Sequence, residues 1–240
     1  MKILITGGSG ALGTSLKAVF KEAYFPGHSE MDVTNADSVN KVLLEFKPDT
    51  LIHTAALVGI RECEENKEKA WSTNVEGTQN VVNGLKKLDN NCYLIYTSTA
   101  CVFAGENEKY YTEDDMPYPK NYYSLTKLCG EIATRQHKNT CIIRTNFVPK
   151  AQWKYPKAFI DRFGTYLFSD NVAMGILDVY NSKEKGIIHI AGKKRISMYD
   201  LALLAGSKNI GKMTLKDYNG PALTIDMSLS TKRWKKYDIG

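Results

Sequence analysis

The sequence is poor in the features that mark metal centres, membrane spans and repeats. Its five cysteines, Cys63, Cys92, Cys101, Cys129 and Cys141, form no C-x-x-C pair and no metal-ligand spacing. No metal is therefore expected, and a dispersed, odd set of thiols fits a reducing compartment. No apolar run approaches the roughly 20 residues of a membrane-spanning helix. The opening MKILI runs into glycines too soon for a secretory leader. Internal repeats and low-complexity tracts are absent. Charge of one sign is not concentrated either. The net +6 comes from 32 Lys and Arg scattered along the chain. The densest patch, Lys232-Arg233-Trp234-Lys235-Lys236, is short and reads as a solvated helix face, so no nucleic-acid partner is expected. These absences point to a soluble cytoplasmic protein with no membrane partner. Its 240 residues suffice for one well-cored domain, or for one domain with a small appendage.

What is present is alternation. Apolar runs at Lys2–Thr6, Thr50–Thr54, Cys92–Ser98 and Thr140–Arg144 read as strands. Between them, helical spacing runs over Ala11–Lys21, Ala36–Phe46, Glu64–Leu88 and Tyr122–Gln136. Thr34 or Asn35 would cap the second helix, and Trp71, Val75, Thr78, Val82 and Leu85 would form the inward stripe of the third. Strands separated by helices cannot pair as hairpins, so the expected fold class is α/β, a doubly wound parallel sheet of Rossmann type. After Arg144 the alternation loosens through the aromatic, basic stretch KAQWKYPKAFIDRFGTYLF. A helix (Asp170–Tyr180), a strand (Gly186–Ala191) and a helix from Met198 follow. We expect a dinucleotide-binding domain over 1–149 and a small substrate lobe over 150–240, interleaved with the sheet.

The stretch TGGSGALG, Thr6 to Gly13, follows the first strand and opens the first helix. Glycines there let the backbone approach a pyrophosphate that sits on free helix N–H groups, which predicts dinucleotide binding. Two registers fit, Gly8-x-Gly10-x-x-Gly13 and Thr6-Gly7-x-x-Gly10-x-x-Gly13. The first calls for an acid at the end of the second strand. That strand, AYFPGHSE, is interrupted by Pro26-Gly27, and Asp32 is accounted for as the end of a third strand. The loop tip instead offers His28 and Ser29, which could donate to a 2′-phosphate, so NADP is favoured over NAD.

Tyr123-x-x-x-Lys127 lies on a predicted helix, and i, i+4 spacing puts a phenol and an ammonium on one face. A phenol ordinarily titrates at about pH 10, and a nearby cation brings it toward acid/base duty. In LIYTSTACVF, Thr99 places a hydroxyl at the carboxyl end of a strand, where open parallel sheets bind ligands. Thr99 could orient a carbonyl while Tyr123 protonates it.

With TGGSGALG, HTAA (His53–Ala56), TNVEGTQNV (Thr73–Val81), YTSTACVF and YYSLTKLCGE in place, the chain resembles the extended short-chain dehydrogenase/reductase family over essentially its whole length. DVTNADSV, STACVFAG, IIRTNFV, GIIHIAGKKRISMYDLA and DMSLSTKRWKKYDIG make it similar to the dTDP-4-dehydrorhamnose reductase branch. The resemblance implies the looser glycine register. It implies that Gly7, Gly10 and Gly13, with Ala11 and Leu12, line the pyrophosphate, and that Asp32 and Val33 bracket the adenine. Ala55, Ala56 and Val58 would border the nicotinamide-side ribose, and Asn74 would support the site from its helix. Thr99, Tyr123 and Lys127 would be catalytic, with Tyr123 and Lys127 also touching the cofactor. The implied activity is NAD(P)H-dependent reduction of a nucleotide-linked 4-keto-6-deoxy sugar in deoxysugar biosynthesis. Pairing through the Glu64–Leu88 and Tyr122–Gln136 helices would make a homodimer.

Two departures qualify this. Ser98-Thr99-Ala100-Cys101-Val102-Phe103 stands where the branch commonly carries S-T-D-Y-V-F. Cys101 sits where related epimerase/reductases use a cysteine as acid/base, which implies a bifunctional 3,5-epimerase/4-reductase; its other reading is a small packed residue. The chain is also short between Arg144 and Asp170, where the substrate lobe is built. Arg144 is either a phosphate contact or a structural strand-end arginine. A further alternative is a cofactor-binding regulatory subunit without catalysis.

Overall fold

The computed structural model describes residues 1–88, 90–106 and 108–239, so Gly240, which ends both the predicted second lobe and the last motif, lies outside the described residues. The first two-thirds contain β1 (Ile3–Thr6), α1 (Ala11–Val19), α2 (Ala36–Phe46), β2 (Thr50–His53), α3 (Ile60–Glu65), α4 (Lys67–Trp71), α5 (Gly77–Leu85), β3 (Tyr93–Thr99), α6 (Tyr122–Thr134) and β4 (Thr140–Thr145). There follow β5 (Phe147–Val148), β6 (Lys157–Phe159), β7 (Phe163–Gly164), β8 (Leu167–Phe168), α7 (Ser169–Ser182) and β9 (Gly186–Gly192). The last elements are β10 (Ile196–Ser197), α8 (Met198–Leu204), β11 (Gly211–Met213), β12 (Asp226–Met227) and β13 (Lys236–Tyr237).

Six of these strands form one parallel sheet in the order β1-β2-β3-β4-β9-β13. Strand alternation divides its apolar residues between two faces. Ile5, Ile52, Ile95 and Ile143 pack under α1 and α7 with Leu12, Leu16, Val172 and Ile176. Leu4, Leu51 and Leu94 pack on the other face against Val39 and Leu43 of α2 and Val81, Val82 and Leu85 of α5. Both faces are covered, which is why these strands read as continuous apolar runs. Among the described residues no helix is long and apolar enough to cross a membrane.

The structure differs from expectation in three places. The second strand shrinks to an isolated bridge, Leu4 with Tyr24, before Pro26-Gly27 stops it, and Asp32 ends no strand. The helix expected over Glu64–Leu88 is broken. Asn66 leaves helical dihedrals (φ −124°, ψ 59°), and Ser72–Glu76 forms a π turn. A π turn inserts a residue and rotates the face that precedes it. Trp71 therefore points outward at 37% exposure and Val75 is only half-buried, while Thr78, Val82 and Leu85 keep the inward stripe. Finally, the basic C-terminal patch is loop and short strand, not a helix face. Lys232 and Arg233 pair with Asp114, and Lys235 with Asp178.

Beyond β4 the chain builds small sheets beside the carboxyl ends of the main strands. Strand β5 pairs with β8, β6 with β11, and β7 lies between β10 and β12. A third core made of Ala100, Cys101, Phe103, Tyr166, Phe168 and Met227 joins these pieces to the strand ends. Strands β9 and β13, though later in the chain than residue 150, complete the main sheet.

Helix α6 lies so close to β3 that a Cβ on Gly130 would overlap the Tyr96 hydroxyl and stand 2.9 Å from Tyr96 Cζ. Gly130→Ala is expected to destabilise the fold by about 1–3 kcal/mol, as overpacked cores do. Urea denaturation checks this, with a midpoint equal to the parent's counting against the packing.

Candidate active site

The site begins where β1 ends. Gly7 adopts a left-handed φ of +76°, and a Cβ there would stand 2.7 Å from the Ala55 nitrogen. A Cβ on Gly13 would overlap the Gly7 carbonyl oxygen and stand 2.7 Å from Gly8 Cα. Gly8 has no positive φ, and its Cβ would meet only the Phe25 side chain and the Lys17 stem, at 3.1 Å or more. Backbone crowding therefore belongs to the Thr6-Gly7-x-x-Gly10-x-x-Gly13 register. Gly10 is the N-cap of α1 and makes no side-chain cap bond, so the first N–H groups of the helix stay open toward the cleft.

That cleft has a volume of about 560 Å³. It gathers Gly7, Gly10, Ala11, Leu12, Gly13, His28, Asp32, Val33, Ala55, Ala56, Val58, Tyr123 and Lys127 from distant parts of the sequence. Lys17, Phe25 and Phe147 also line it and were missed. Phe147 carried a signal, since it follows a strand end inside IIRTNFV. Lys17 carried none, being an ordinary solvent-side helix residue by spacing. Ser29 shares the turn of His28 and is not among the residues that line the cleft. Asp32 accepts hydrogen bonds from the Thr34 nitrogen (2.9 Å) and hydroxyl (2.8 Å). Burial would raise its carboxyl, but the Thr34 bonds and His28 outweigh that and hold it below its ordinary value.

Behind the glycine loop runs a buried relay. Thr54 and Ala55 N–H groups point at Thr6 Oγ1 (3.2 and 3.3 Å), which lies 2.7 Å from His53 Nδ1. His53 Nε2 lies 3.1 Å from Thr78 Oγ1, which donates its proton to the Asn74 carbonyl at 2.7 Å. Because the Thr78 proton is already used, Nε2 must donate and Nδ1 must accept from Thr6. Burial, and secondarily Lys127, lowers the His53 imidazole to about 3, so it is neutral at physiological pH.

Asn74 was expected to support the site from its helix. It is buried behind the cleft and clamps Leu57, accepting from its nitrogen (2.7 Å) and donating to its carbonyl (3.0 Å). It also donates to Thr126 Oγ1 at 3.0 Å, between the two expected catalytic residues of α6. The loop that carries Ala55, Ala56 and Val58 is thus held from behind.

Asn121 caps α6 by accepting from the Ser124 nitrogen at 3.0 Å, which fixes the helix start beside Tyr123. Burial and then Cys101 push the Tyr123 phenol well above its ordinary value, while a hydrogen bond with Thr99 pulls it back. Lys127 Nζ stands over the Tyr96 ring, 4.3 Å from the centroid. Burial lowers the Lys127 ammonium to about 7, with Glu131 opposing. Thr99 Oγ1 accepts from the Cys101 nitrogen at 3.1 Å and is hydrogen-bonded to the Tyr123 phenol. Cys101 is 7% exposed, with Sγ 3.3 Å from Met227 Sδ.

Arg144 is not a substrate contact. It is 1% exposed, its Nε and Nη2 donate to Glu131 Oε1 and Oε2 at 2.9 and 2.7 Å, and its guanidinium covers the Phe103 ring. The acid that claims it, four residues after Lys127, gave no sequence signal of burial.

A protein-family model described as the RmlD substrate binding domain matches residues 1–211. A dTDP-4-dehydrorhamnose reductase of Aggregatibacter actinomycetemcomitans is 27% identical over 90% of this chain and 82% of its own. The methionine adenosyltransferase 2 subunit beta of Xenopus laevis is 28% identical over 84% of this chain and 70% of its own. A solved dTDP-4-dehydrorhamnose reductase from Clostridium acetobutylicum superposes with a TM-score of 0.87 at 26% identity, over 96% of this chain and 90% of its own.

The neutral His53 has a thermodynamic consequence. Its folded value, about 3, lies below the ordinary 6.5, so its stabilisation is complete above pH 6.5 and is lost as pH falls toward 3. Within that window one such histidine tilts stability by about 1.4 kcal/mol per pH unit. His53→Gln is expected to remove that slope between pH 6.5 and 5, measured by urea unfolding across the range; an unaltered slope would show that His53 binds its proton in the folded state.

Proposed function

Because the chain belongs to the RmlD substrate-binding-domain family, we propose that it is an NAD(P)H-dependent reductase of a nucleotide-linked 4-keto-6-deoxy sugar. The observation that carries this reading is one cleft that joins an open, glycine-lined helix start to Tyr123 and Lys127, with Thr99 hydrogen-bonded to the phenol. A dinucleotide fits the residues present. Gly7 and Gly13 tolerate no side chain, Gly10 presents bare backbone, and the α1 N–H groups would hold the pyrophosphate. Asp32 and Val33 would border the adenine, and Ala55, Ala56 and Val58 the nicotinamide-side ribose. His28 in the lining could donate to a 2′-phosphate, which favours NADP.

When bound, the dihydronicotinamide supplies the hydride that reduces the ketone. The side chains do the rest. Tyr123 stays protonated at neutral pH because burial disfavours its phenolate, so it is ready to give a proton to the carbonyl oxygen as charge grows there. Thr99, hydrogen-bonded beside the phenol, would orient the same carbonyl oxygen as charge develops on it. Lys127 would hold the ribose hydroxyls beneath. The product is the sugar alcohol, with one proton taken from Tyr123 and restored from solvent.

Two other readings separate by experiment. Cys101 is near enough to Tyr123 for a thiolate there to raise the phenol, which supports epimerisation; its contact with Met227 supports simple packing. The intact Thr99, Tyr123 and Lys127 favour an enzyme over a regulatory subunit, which needs no proton donor. Cytoplasmic residence agrees with five free cysteines.

Tyr123→Phe is expected to lower turnover by about 10²–10⁴-fold, the usual worth of a positioned acid. NADPH oxidation with dTDP-, UDP- and GDP-4-keto-6-deoxyhexoses measures it; unchanged oxidation by the variant would sink the catalytic reading. Cys101→Ser should abolish deuterium uptake from solvent into the sugar if the thiol epimerises, and should leave uptake as it was if the thiol only packs.

A further inference from the structure

Glu131 lies one helical turn after Lys127 on α6 and is wholly buried. Its Oε1 accepts from Ser98 Oγ at 2.5 Å and from Arg144 Nε at 2.9 Å, and its Oε2 accepts from Arg144 Nη2 at 2.7 Å. Ser98, Arg144 and His189 stand side by side in register across β3, β4 and β9. The carboxylate is therefore fixed from the sheet below α6, and Ser98 itself lines the catalytic cleft. An ion pair taken wholly out of water gives little or no net stability over apolar residues of similar volume. Stability is thus a poor reason for placing one directly behind the cleft.

Lys127 supplies a better one. Its ammonium is itself buried, over the Tyr96 ring, and burial works against its charge. Around it, His53 from β2 is neutral, and the Tyr96 phenol from β3 is pushed far up by burial. Tyr123 on α6 is likewise held protonated, and Cys63 from α3 is pushed up to about 11. Beyond Arg144, burial lowers His189 from β9 below its ordinary value. Among these groups only Glu131 is held in an ion pair as a carboxylate, and it is the charge that opposes burial at Lys127.

We propose that Glu131 is a positioning residue for catalysis: from one turn behind, it keeps Lys127 an ammonium, while Arg144 and Ser98 hold the carboxylate in place. The role of Lys127 in turnover rests on the reductase reading, but its charge does not. The test accordingly starts with the full chain without ligand, following the Lys127 side chain by NMR of ¹⁵N-labelled lysine, with Lys127→Met to assign the signal.

Glu131→Gln alone strands Arg144 in the core and could unfold the protein. The double variant Glu131→Gln/Arg144→Gln replaces the ion pair with an amide pair. Lys127 in the double variant is expected to titrate lower than in the parent, by less than the roughly one to three pH units of a lone nearby charge because the Arg144 cation goes with it. Glu131→Asp, which keeps the charge, should restore most of the difference. In turnover, the alkaline limb of kcat/KM should move to lower pH by the same amount, because the ammonium is lost earlier. A merely structural pair would lower stability and leave both titrations where they were, and that result overturns the proposal. A shifted NMR titration in a parent that reduces no sugar would sink the reductase reading and uphold this one; an unshifted titration in an active enzyme would do the reverse.

Discussion

The site hangs on a neutral histidine that no solvent reaches. His53 accepts from Thr6 and donates to Thr78, so the ends of β1 and β2 and the start of α5 are tied by one ring. Thr6 in turn holds the amides of Thr54 and Ala55, and Thr78 hands its proton to Asn74. Asn74 reaches the Leu57 loop on one side and Thr126 of α6 on the other. The glycine loop, the loop facing it and the helix of Tyr123 and Lys127 thus share one hydrogen-bond path. Each member is satisfied only in one orientation, and such fully paired buried networks specify a unique geometry.

Local chemistry was legible in the sequence wherever it was decided locally. The second helix was readable to its ends because Asn35 caps it by accepting from Asp37 and Ser38 nitrogens. The glycine register was left open by spacing alone, since only the approach of the Ala55 and Gly7 backbones reveals which glycines tolerate no Cβ. Tyr123 and Lys127 were legible because i, i+4 spacing survives in any regular helix. The helix before them was not. Its apolar stripe has the right period on both sides of the π turn, and nothing in STNVE announces the extra residue that turns Trp71 outward. Arg144 is a second example. Strand position alone could not tell a phosphate ligand from a buried ion-pair partner, because the deciding residue, Glu131, lies on a different element.

Electrostatics divides the cleft into two halves with different tasks. At the α1 end, charge is met by backbone: free N–H groups and no cap. At the α6 end, ionisable side chains are buried and held off their ordinary values by desolvation, upward for Tyr123 and downward for Lys127. Both shifts favour the neutral form, so the reacting end is kept low in charge unless a fixed neighbour restores it. Concentration of such perturbed groups in one cleft, with a stated cause for each, is a stronger functional signal than any one motif.

The interleaved lobe has a consequence for modularity. After leaving the sheet at β4, the chain returns to it for α7 and β9, leaves again for β10, α8, β11 and β12, and closes with β13. The surface that would choose the substrate is therefore not a cassette with two ends. Transplanting it from a relative would need several crossovers, each in the middle of a shared core, because Cys101, Tyr166 and Met227 pack together from three separate stretches. A substitution at Cys101, Tyr166 or Met227 would therefore alter the packing of the strand ends together with the surface beside them.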